Sequence, residues 1–255
     1  MKLEQIIKKT LEYGQKFGGQ LTKKQLFERL IGDQIYKKEE VYKFIEQTLR
    51  PAGTSLDREV FLEEKLKKAK ELAKLIEKQF KDILMIGITG SVAAGYPKKN
   101  DDIDIMIITK INKLWINRFK LRFFIFFNKI PHRKYGQKEN KDEFCFNLWM
   151  DEEALKLPKS RKNLRNAMDL ILMKPIINRN KTYEKFIMAN IWAKKWVATG
   201  YSGLINRSSI IDRRENKNNY LDKVVNWLVF CPQFWYMKKR IKKENVGLHE
   251  AFFHH

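Results

Sequence analysis

Residues 84–109 read LMIGITGSVAAGYPKKNDDIDIMIIT, and this stretch decides the fold of the chain. Two apolar runs rich in Ile flank a Gly-Ser step, a loop and a cluster of acids. The cluster consists of Asp101, Asp102 and Asp104, in a chain whose formal net charge is +22. Like charges so close together repel each other, so the cluster destabilises the fold unless a cation lies between the carboxylates. The stretch therefore predicts two neighbouring β-strands with a cation-binding site at the start of the second.

The spacing of the aspartates indicates which of them face that site. Side chains alternate along a strand, so Asp102 and Asp104 are expected on one face, while Ile103 is buried behind them and Asp101 ends the loop. Two carboxylates at this spacing can bind a divalent cation through oxygen ligands, as Mg²⁺ prefers. Gly90 allows the backbone to approach a phosphate closely, and Ser91 can donate a hydrogen bond to it. The pattern predicts a magnesium and nucleotide site built from these two segments.

The segment TGSVAAGYPKKNDDIDIMIIT resembles the signature of the DNA polymerase β-like nucleotidyltransferase superfamily. That signature is an apolar strand, Gly-Ser, an intervening segment, and then Asp-x-Asp entering a second strand. The resemblance covers roughly residues 83–150 and implies a mixed-sheet catalytic core with magnesium-dependent transfer of a nucleoside monophosphate from an NTP. It also implies that Gly90 and Ser91 contact the triphosphate and that Asp102 and Asp104 hold the metal.

The chain departs from this signature where a later strand normally supplies a third carboxylate. In EFCFNLWMDEE (143–153), uninterrupted alternation places Glu143, Cys145, Asn147, Trp149 and Asp151 on one face. Asn147 therefore stands where an aspartate is expected. An amide can bind Mg²⁺ through its oxygen, but it adds no negative charge and cannot act as a base. Asn147 is included in the predicted catalytic set, and a degenerate enzyme that binds nucleotide without turnover is the open alternative.

The chain divides into four predicted parts. Residues 1–55 contain three helix-like stretches and predict a helical module that resembles a helix-turn-helix or winged-helix unit. Residues 56–82 predict a connecting helix, and residues 83–155 predict the catalytic core with three strands. Residues 156–255 predict a basic helical extension. The expected fold class is α+β, with a mixed sheet of the nucleotidyltransferase type flanked by helices.

Positive charge is concentrated after the aspartate cluster. Residues 110–141 hold 10 Lys and Arg against 1 Asp or Glu, and residues 155–255 hold 21 against 7. Such a field favours polyanions through phosphate neutralisation and counterion release, so RNA is the preferred acceptor class. Arg118 and Arg122 lie one helical turn apart after the second strand, from where they could reach a triphosphate.

Other features narrow the class of protein. Only two cysteines occur, far apart, which excludes a disulfide scaffold and a cysteine-based zinc site. No apolar segment is long enough to suggest a signal peptide or a membrane span, so a cytoplasmic protein is expected.

The sequence therefore predicts an enzyme, a magnesium-dependent nucleotidyltransferase that uses an NTP, with ATP preferred. Two alternatives stay open. One is a catalytically degenerate protein of the same fold that binds nucleic acid or regulates a partner. The other is an enzyme whose acceptor is a protein or a small molecule.

Overall fold

The fold is given by a computed structural model of the chain. The structure describes residues 2–48, 56–134, 137, 140–206, 220–239, 241 and 244–253.

The N-terminal part is helical, as the sequence predicts. It contains α1 (Leu3–Lys16), α2 (Lys23–Glu28) and α3 (Lys38–Thr48). Helix α2 begins with a capping box, in which the Thr22 hydroxyl accepts from the Gln25 amide and the Gln25 side chain accepts from the Thr22 amide. A separate apolar core holds these helices together; its buried members are Ile6, Ile7, Leu21, Leu26, Leu30, Val41 and Ile45. The expected boundary at residue 55 lies outside the described residues.

A six-stranded sheet forms the centre of the molecule. Its strands are β1 (Ile83–Ile88), β2 (Ile103–Thr109), β3 (Phe144–Asp151), β4 (Lys174–Asn178), β5 (Asn245–Val246) and β6 (Glu250–Phe252). Their order across the sheet is β4-β1-β2-β3-β6-β5. Strands β2 and β3 are parallel, whereas every other neighbouring pair is antiparallel. The sheet is therefore mixed, and the predicted α+β class is confirmed.

Helices cover both faces of the sheet. The remaining helices are α4 (Leu56–Gln79), α5 (Gly90–Ala94), α6 (Leu114–Phe127), α7 (Leu164–Leu172), α8 (Thr182–Ala189), α9 (Lys194–Ile205) and α10 (Tyr220–Lys238). On one face, residues of α4, α6 and α10, such as Ile76, Trp115 and Met237, pack in one apolar cluster with the sheet. On the other face, α7, α8 and α9 contribute Met168, Phe186 and Tyr201 to a second cluster. Within the described part of the chain, none of the helices is both long and apolar enough to cross a membrane.

Residues 156–255 are not wholly helical, in contrast to the expectation for this region. They supply β4, β5 and β6, which complete both sides of the sheet begun by residues 83–155. Strand β4 lies at the edge of the sheet. An edge strand tolerates Pro175, because no further strand pairs with its outer side and needs a hydrogen bond from the missing N–H group. Strand β6 pairs with β3 and buries Phe252. These strands have two to five residues, too few for a period-2 pattern to stand out from the helical patterns beside them.

Candidate active site

The two segments that carry the predicted site meet at one end of β1 and β2. These strands are antiparallel, with Ile88 opposite Ile105, so the end of β1 lies beside the start of β2. The next backbone bond continues the pairing, since the Thr89 amide donates to the Asp104 carbonyl at 3.0 Å. Gly90 then begins α5 directly beside the Asp104 side chain. The antiparallel pairing therefore brings the Gly-Ser step against the aspartates.

Gly90 occupies a position that only glycine fits. Its φ is +65°, in the left-handed region that side chains with a Cβ disfavour. A Cβ built there would lie 2.2 Å from Oδ2 of Asp104. The close approach of the Gly90 backbone to the carboxylate thus depends on the missing side chain. Ser91 follows in α5, but it is not among the residues that line the adjacent cavity.

Asp102 and Asp104 lie close together, although Asp102 comes one residue before β2 begins. Oxygen atoms of the two carboxylates and the Cys145 sulfur all lie within 4.8 Å of one another. Asp101 behaves differently, because its carboxylate accepts a hydrogen bond from the Lys98 amide at 2.9 Å and closes the loop. The buried Lys65 of α4 holds this loop from the other side, donating to the Asp101 carbonyl at 2.6 Å.

A guanidinium group supplies the countercharge at Asp102. Nη1 of Arg133 lies 2.9 Å from Oδ2 of Asp102, and the Asp102 side chain is 5% exposed. This ion pair relieves part of the repulsion between the aspartates without a metal ion. The contact is direct and mostly buried, so a cation bound at Asp102 has to share or displace the guanidinium.

Strand β3 carries a bulge that sets the position of Asn147. Cys145 is the partner of Asp104 and Leu148 the partner of Met106, so two residues of β3 stand opposite one of β2. Nδ2 of Asn147 donates to Oδ1 of Asp104 at 2.9 Å. Because of the bulge, the predicted alternation along β3 is wrong beyond Asn147. Trp149 packs in the apolar cluster on the opposite face of the sheet.

No third carboxylate of β3 joins the two aspartates. Asp151 lies at the far end of the strand, where it accepts hydrogen bonds from the Asn112 amide and the Glu153 amide and contacts Nδ1 of His249. Within the described residues, the group of neighbouring potential metal ligands contains only Asp102, Asp104 and Cys145. Glu143, the acidic residue just before β3, is not in that group.

The donor atoms at this place suit a hard cation. Two carboxylates are present, and Oδ1 of Asn147 is buried without a hydrogen-bond partner among the described residues. Such an oxygen is available as a ligand, and oxygen ligands are those that Mg²⁺ prefers. Burial and the charges of Asp104 and Asp102 raise the pKa of the Cys145 thiol, so it stays protonated and does not compete as a thiolate. The residues present therefore fit magnesium better than a soft metal.

A first cavity of about 140 Å³ opens at Gly90, Asp104 and Asn147. Its opposite wall contains Arg161, just before α7, and Asp169 within α7, together with Arg165 between them. These three residues were not predicted from the sequence. The spacing of four residues between Arg165 and Asp169 is the signal that was present, since it places both charged side chains on one face of α7.

The Asp169 carboxyl gives this cavity a pH-dependent charge. Burial raises its pKa to about 6, and the positive charge of Arg165 only partly opposes that effect. The ordinary pKa of an aspartate is about 3.9, so the folded chain holds this proton more tightly than the unfolded chain does. Stability therefore falls as the pH rises from about 4 through 6, and the full loss is present above pH 6.

We expect Asp169→Asn to raise the melting temperature at pH 8, because the amide is neutral at every pH. The corresponding gain in the free energy of unfolding should be on the order of 1–3 kcal/mol at pH 8 and much smaller at pH 4. Thermal unfolding of both proteins at the two pH values measures this difference. Asp33→Asn, at an exposed position, is the matched control and should change stability little at either pH. An equal change at pH 4 and pH 8 for Asp169→Asn would contradict the assignment.

A second cavity, of about 340 Å³, lies between α6, β3 and α10. Asn147 lines both cavities, so they adjoin at this residue. Arg118 and Arg122 line the second cavity and not the first. The expectation that they reach a triphosphate at Gly90 therefore finds no support in their position.

Comparisons of the chain with family models, with curated proteins and with solved structures found no match.

Proposed function

We propose that the chain is a magnesium-dependent nucleotidyltransferase that transfers a nucleoside monophosphate from an NTP to an acceptor. The observation that carries the proposal is the seating of Gly90 against Asp104, with Asp102 beside it. A glycine at positive φ lets the backbone lie directly against the Asp104 carboxylate, and the first cavity opens at both residues, where a phosphate and a cation are proposed to bind. The antiparallel β1–β2 pair and the parallel β3 are consistent with the mixed core that the superfamily resemblance implies.

The polar residues in and beside the first cavity have distinct roles in this proposal. Asp102, Asp104 and Oδ1 of Asn147 hold magnesium, which when bound neutralises phosphate oxygens and acidifies an attacking hydroxyl. The Gly90 backbone and the Ser91 hydroxyl seat the triphosphate. Among the described residues that line the first cavity, Asp169 is the carboxylate besides Asp104, and its pKa of about 6 suits it to accept the proton of the acceptor hydroxyl.

Two basic side chains add to the triphosphate site. Arg161 and Arg165 line the same cavity as Asp104, and cations placed there stabilise the charge that develops on a transferred phosphoryl group. ATP is the preferred nucleotide. RNA is the preferred acceptor, because the excess positive charge of the chain is concentrated after the aspartate cluster. A protein or a small molecule is the alternative acceptor class.

Label transfer tests the proposal directly. The protein is incubated with each of four α-³²P-labelled NTPs and Mg²⁺, in separate reactions with total RNA, total protein and a set of small hydroxyl compounds. We expect label in one acceptor fraction, and we expect its loss on chelation of Mg²⁺ and in the Asp102→Ala, Asp104→Ala double variant. Absence of both transfer and NTP turnover in every reaction would overturn the enzyme proposal.

A second candidate function is nucleotide or nucleic-acid binding without turnover. Asn147 in place of a third carboxylate and the ion pair between Arg133 and Asp102 favour it. Such a protein binds nucleic acid in a salt-sensitive manner that survives the loss of both aspartates. Magnesium-dependent NTP turnover separates the candidates, since the enzyme consumes the NTP and a protein that only binds leaves it intact.

A further inference from the structure

The second cavity differs from the first in its lining. It contains the cationic side chains of Arg118, Arg122, Arg133 and Lys134, and none of its described lining residues is acidic. Aromatic rings make up much of the rest; they belong to Phe126, Phe146, Trp149, Tyr236 and Phe253. We call it the basic aromatic cavity. Its volume of about 340 Å³ lies in the range of pockets that bind small organic ligands.

Arg118 is a buried cation in the wall of this cavity. Its side chain lies on α6 and the residue is 9% exposed. Nη1 donates to Oε1 of Gln233 at 2.8 Å, and Nη2 lies 3.4 Å from the sulfur of Met237. The guanidinium also lies over the rings of Trp115 and Phe253, at 5.3 and 4.8 Å from their centroids.

None of these partners carries a negative charge. Burial and the nearby charge of Arg122 lower the pKa of the Arg118 guanidinium to about 9. A buried cation without a counter-ion is costly, and proteins normally pair such a group with a carboxylate. Two other buried or half-buried cations of the chain follow that rule, since Lys65 pairs with Asp142 and Arg133 pairs with Asp102.

The neutral partners of Arg118 fix its orientation. The side-chain amide of Gln233 is itself held in place, because its Nε2 donates hydrogen bonds to the carbonyls of Trp115 and Val229 at 3.2 and 3.1 Å. A guanidinium fixed in this way, at the wall of a cavity with no acid among its described lining residues, is pre-organised to bind an anion.

We propose that the basic aromatic cavity binds a phosphorylated nucleotide, with the phosphate on Arg118 and Arg122 and the base on the aromatic wall. Two cations match the double charge of a phosphate monoester, and aromatic side chains bind bases by stacking. Phe126 and Tyr236 are 73% and 56% exposed, so their rings are accessible for such stacking.

This site deepens the proposed function and rests on it for its role. Asn147 belongs to both cavities, so a nucleotide in the second cavity lies next to the site proposed for the NTP. The ligand is therefore assigned as the acceptor, either a free nucleoside monophosphate or the phosphorylated end of an RNA strand. Both present the same phosphate and base to the cavity.

Binding without turnover tests the proposal. Isothermal titration of the full chain in EDTA, which removes any magnesium-dependent NTP site, is done with AMP, adenosine, and a short oligoribonucleotide with and without a 5′-phosphate. We expect AMP to bind at least about tenfold more tightly than adenosine, because the phosphate adds charge-assisted hydrogen bonds. Tighter binding of the phosphorylated oligonucleotide than of AMP assigns the RNA end, and the reverse order assigns the free nucleotide. Equal binding of AMP and adenosine overturns the proposal.

Arg118→Met and Lys120→Met form the matched pair of variants. Both remove one positive charge from α6, but Lys120 is exposed and does not line the cavity. We expect Arg118→Met to weaken AMP binding at least about tenfold and to keep or raise the melting temperature, because an uncompensated buried charge is removed. Lys120→Met should bind AMP as the wild type does.

Two results would count against the site. Unchanged AMP binding by Arg118→Met overturns it, and so does an equal weakening of AMP binding by Arg118→Met and Lys120→Met, which marks the general positive field of α6 and not a site at Arg118. Failure of label transfer with AMP binding intact contradicts the transferase and leaves the nucleotide site standing. Active label transfer without AMP binding contradicts the nucleotide site in the basic aromatic cavity and leaves the transferase proposal standing.

Discussion

Asp104→Asn is expected to lower the rate of nucleotidyl transfer by roughly 10³-fold, the largest effect of any single substitution in this chain. The charge stabilisation that a bound metal supplies amounts to several kcal/mol, and each 1.36 kcal/mol corresponds to a factor of ten in rate. Asparagine has nearly the same shape as aspartate, so the hydrogen-bonding position beside Asn147 is still filled. Steady-state label transfer at saturating Mg²⁺ and NTP measures the effect.

Asp101→Asn is the control for this variant. It removes the same charge three residues earlier, and an amide oxygen can still accept the hydrogen bond from the Lys98 amide. We expect transfer within about threefold of the wild type, because Asp101 is not one of the potential metal ligands grouped with Asp102. Equal losses in both variants would indicate that the general negative field, and not a bound cation, is what matters.

Gly90→Ala is expected to lower transfer by at least about 10²-fold, since displacements near 1 Å in an active site have effects of that size. The added Cβ would lie 2.2 Å from the Asp104 carboxylate, so either the Gly90 backbone or Asp104 must move. The left-handed backbone adds a cost in folding free energy of about 1–2 kcal/mol. Activity and thermal unfolding are measured on the same preparation, so the two effects can be separated.

Gly95→Ala isolates the backbone cost. Gly95 ends the same helix with a φ of +82°, and its nearest neighbour to a built Cβ is Nε2 of Gln25 at 3.4 Å. The stability loss should be about the 1–2 kcal/mol of the left-handed backbone and no larger than that of Gly90→Ala, whereas transfer should stay close to that of the wild type. If Gly95→Ala loses as much activity, strain in α5 explains the effect and the contact with Asp104 does not.

Much of the candidate site could be predicted from the sequence because its parts are local. Strands β1 and β2 are separated by 14 residues, and each has a strong apolar pattern. A short connection between two such strands favours direct pairing, which brings Gly90 next to Asp104. The different role of Asp101 also followed from alternation alone.

The environment of the aspartates could not be predicted in the same way. The bulge in β3 depends on its pairing with β2, and it directs Asn147 to Asp104 while it turns Trp149 to the opposite face. Period-2 reasoning assumes regular pairing and therefore fails beyond the bulge. The ion pair between Arg133 and Asp102 joins residues 31 positions apart, and no local pattern indicates it.

The sequence by itself determined the α+β class, the Gly-Ser step and the paired aspartates, since these depend on side-chain periodicity and short-range spacing. Only the tertiary structure brought Asp169 to Asp104 and enclosed Arg118 among neutral partners. Both features arise where α7, α6 and α10 pack on the sheet, through contacts between residues distant in sequence. Burial then changed the chemistry of ordinary residue types. An aspartate with a pKa near 6 and an arginine whose described partners are all neutral exist only after the surrounding helices have excluded water.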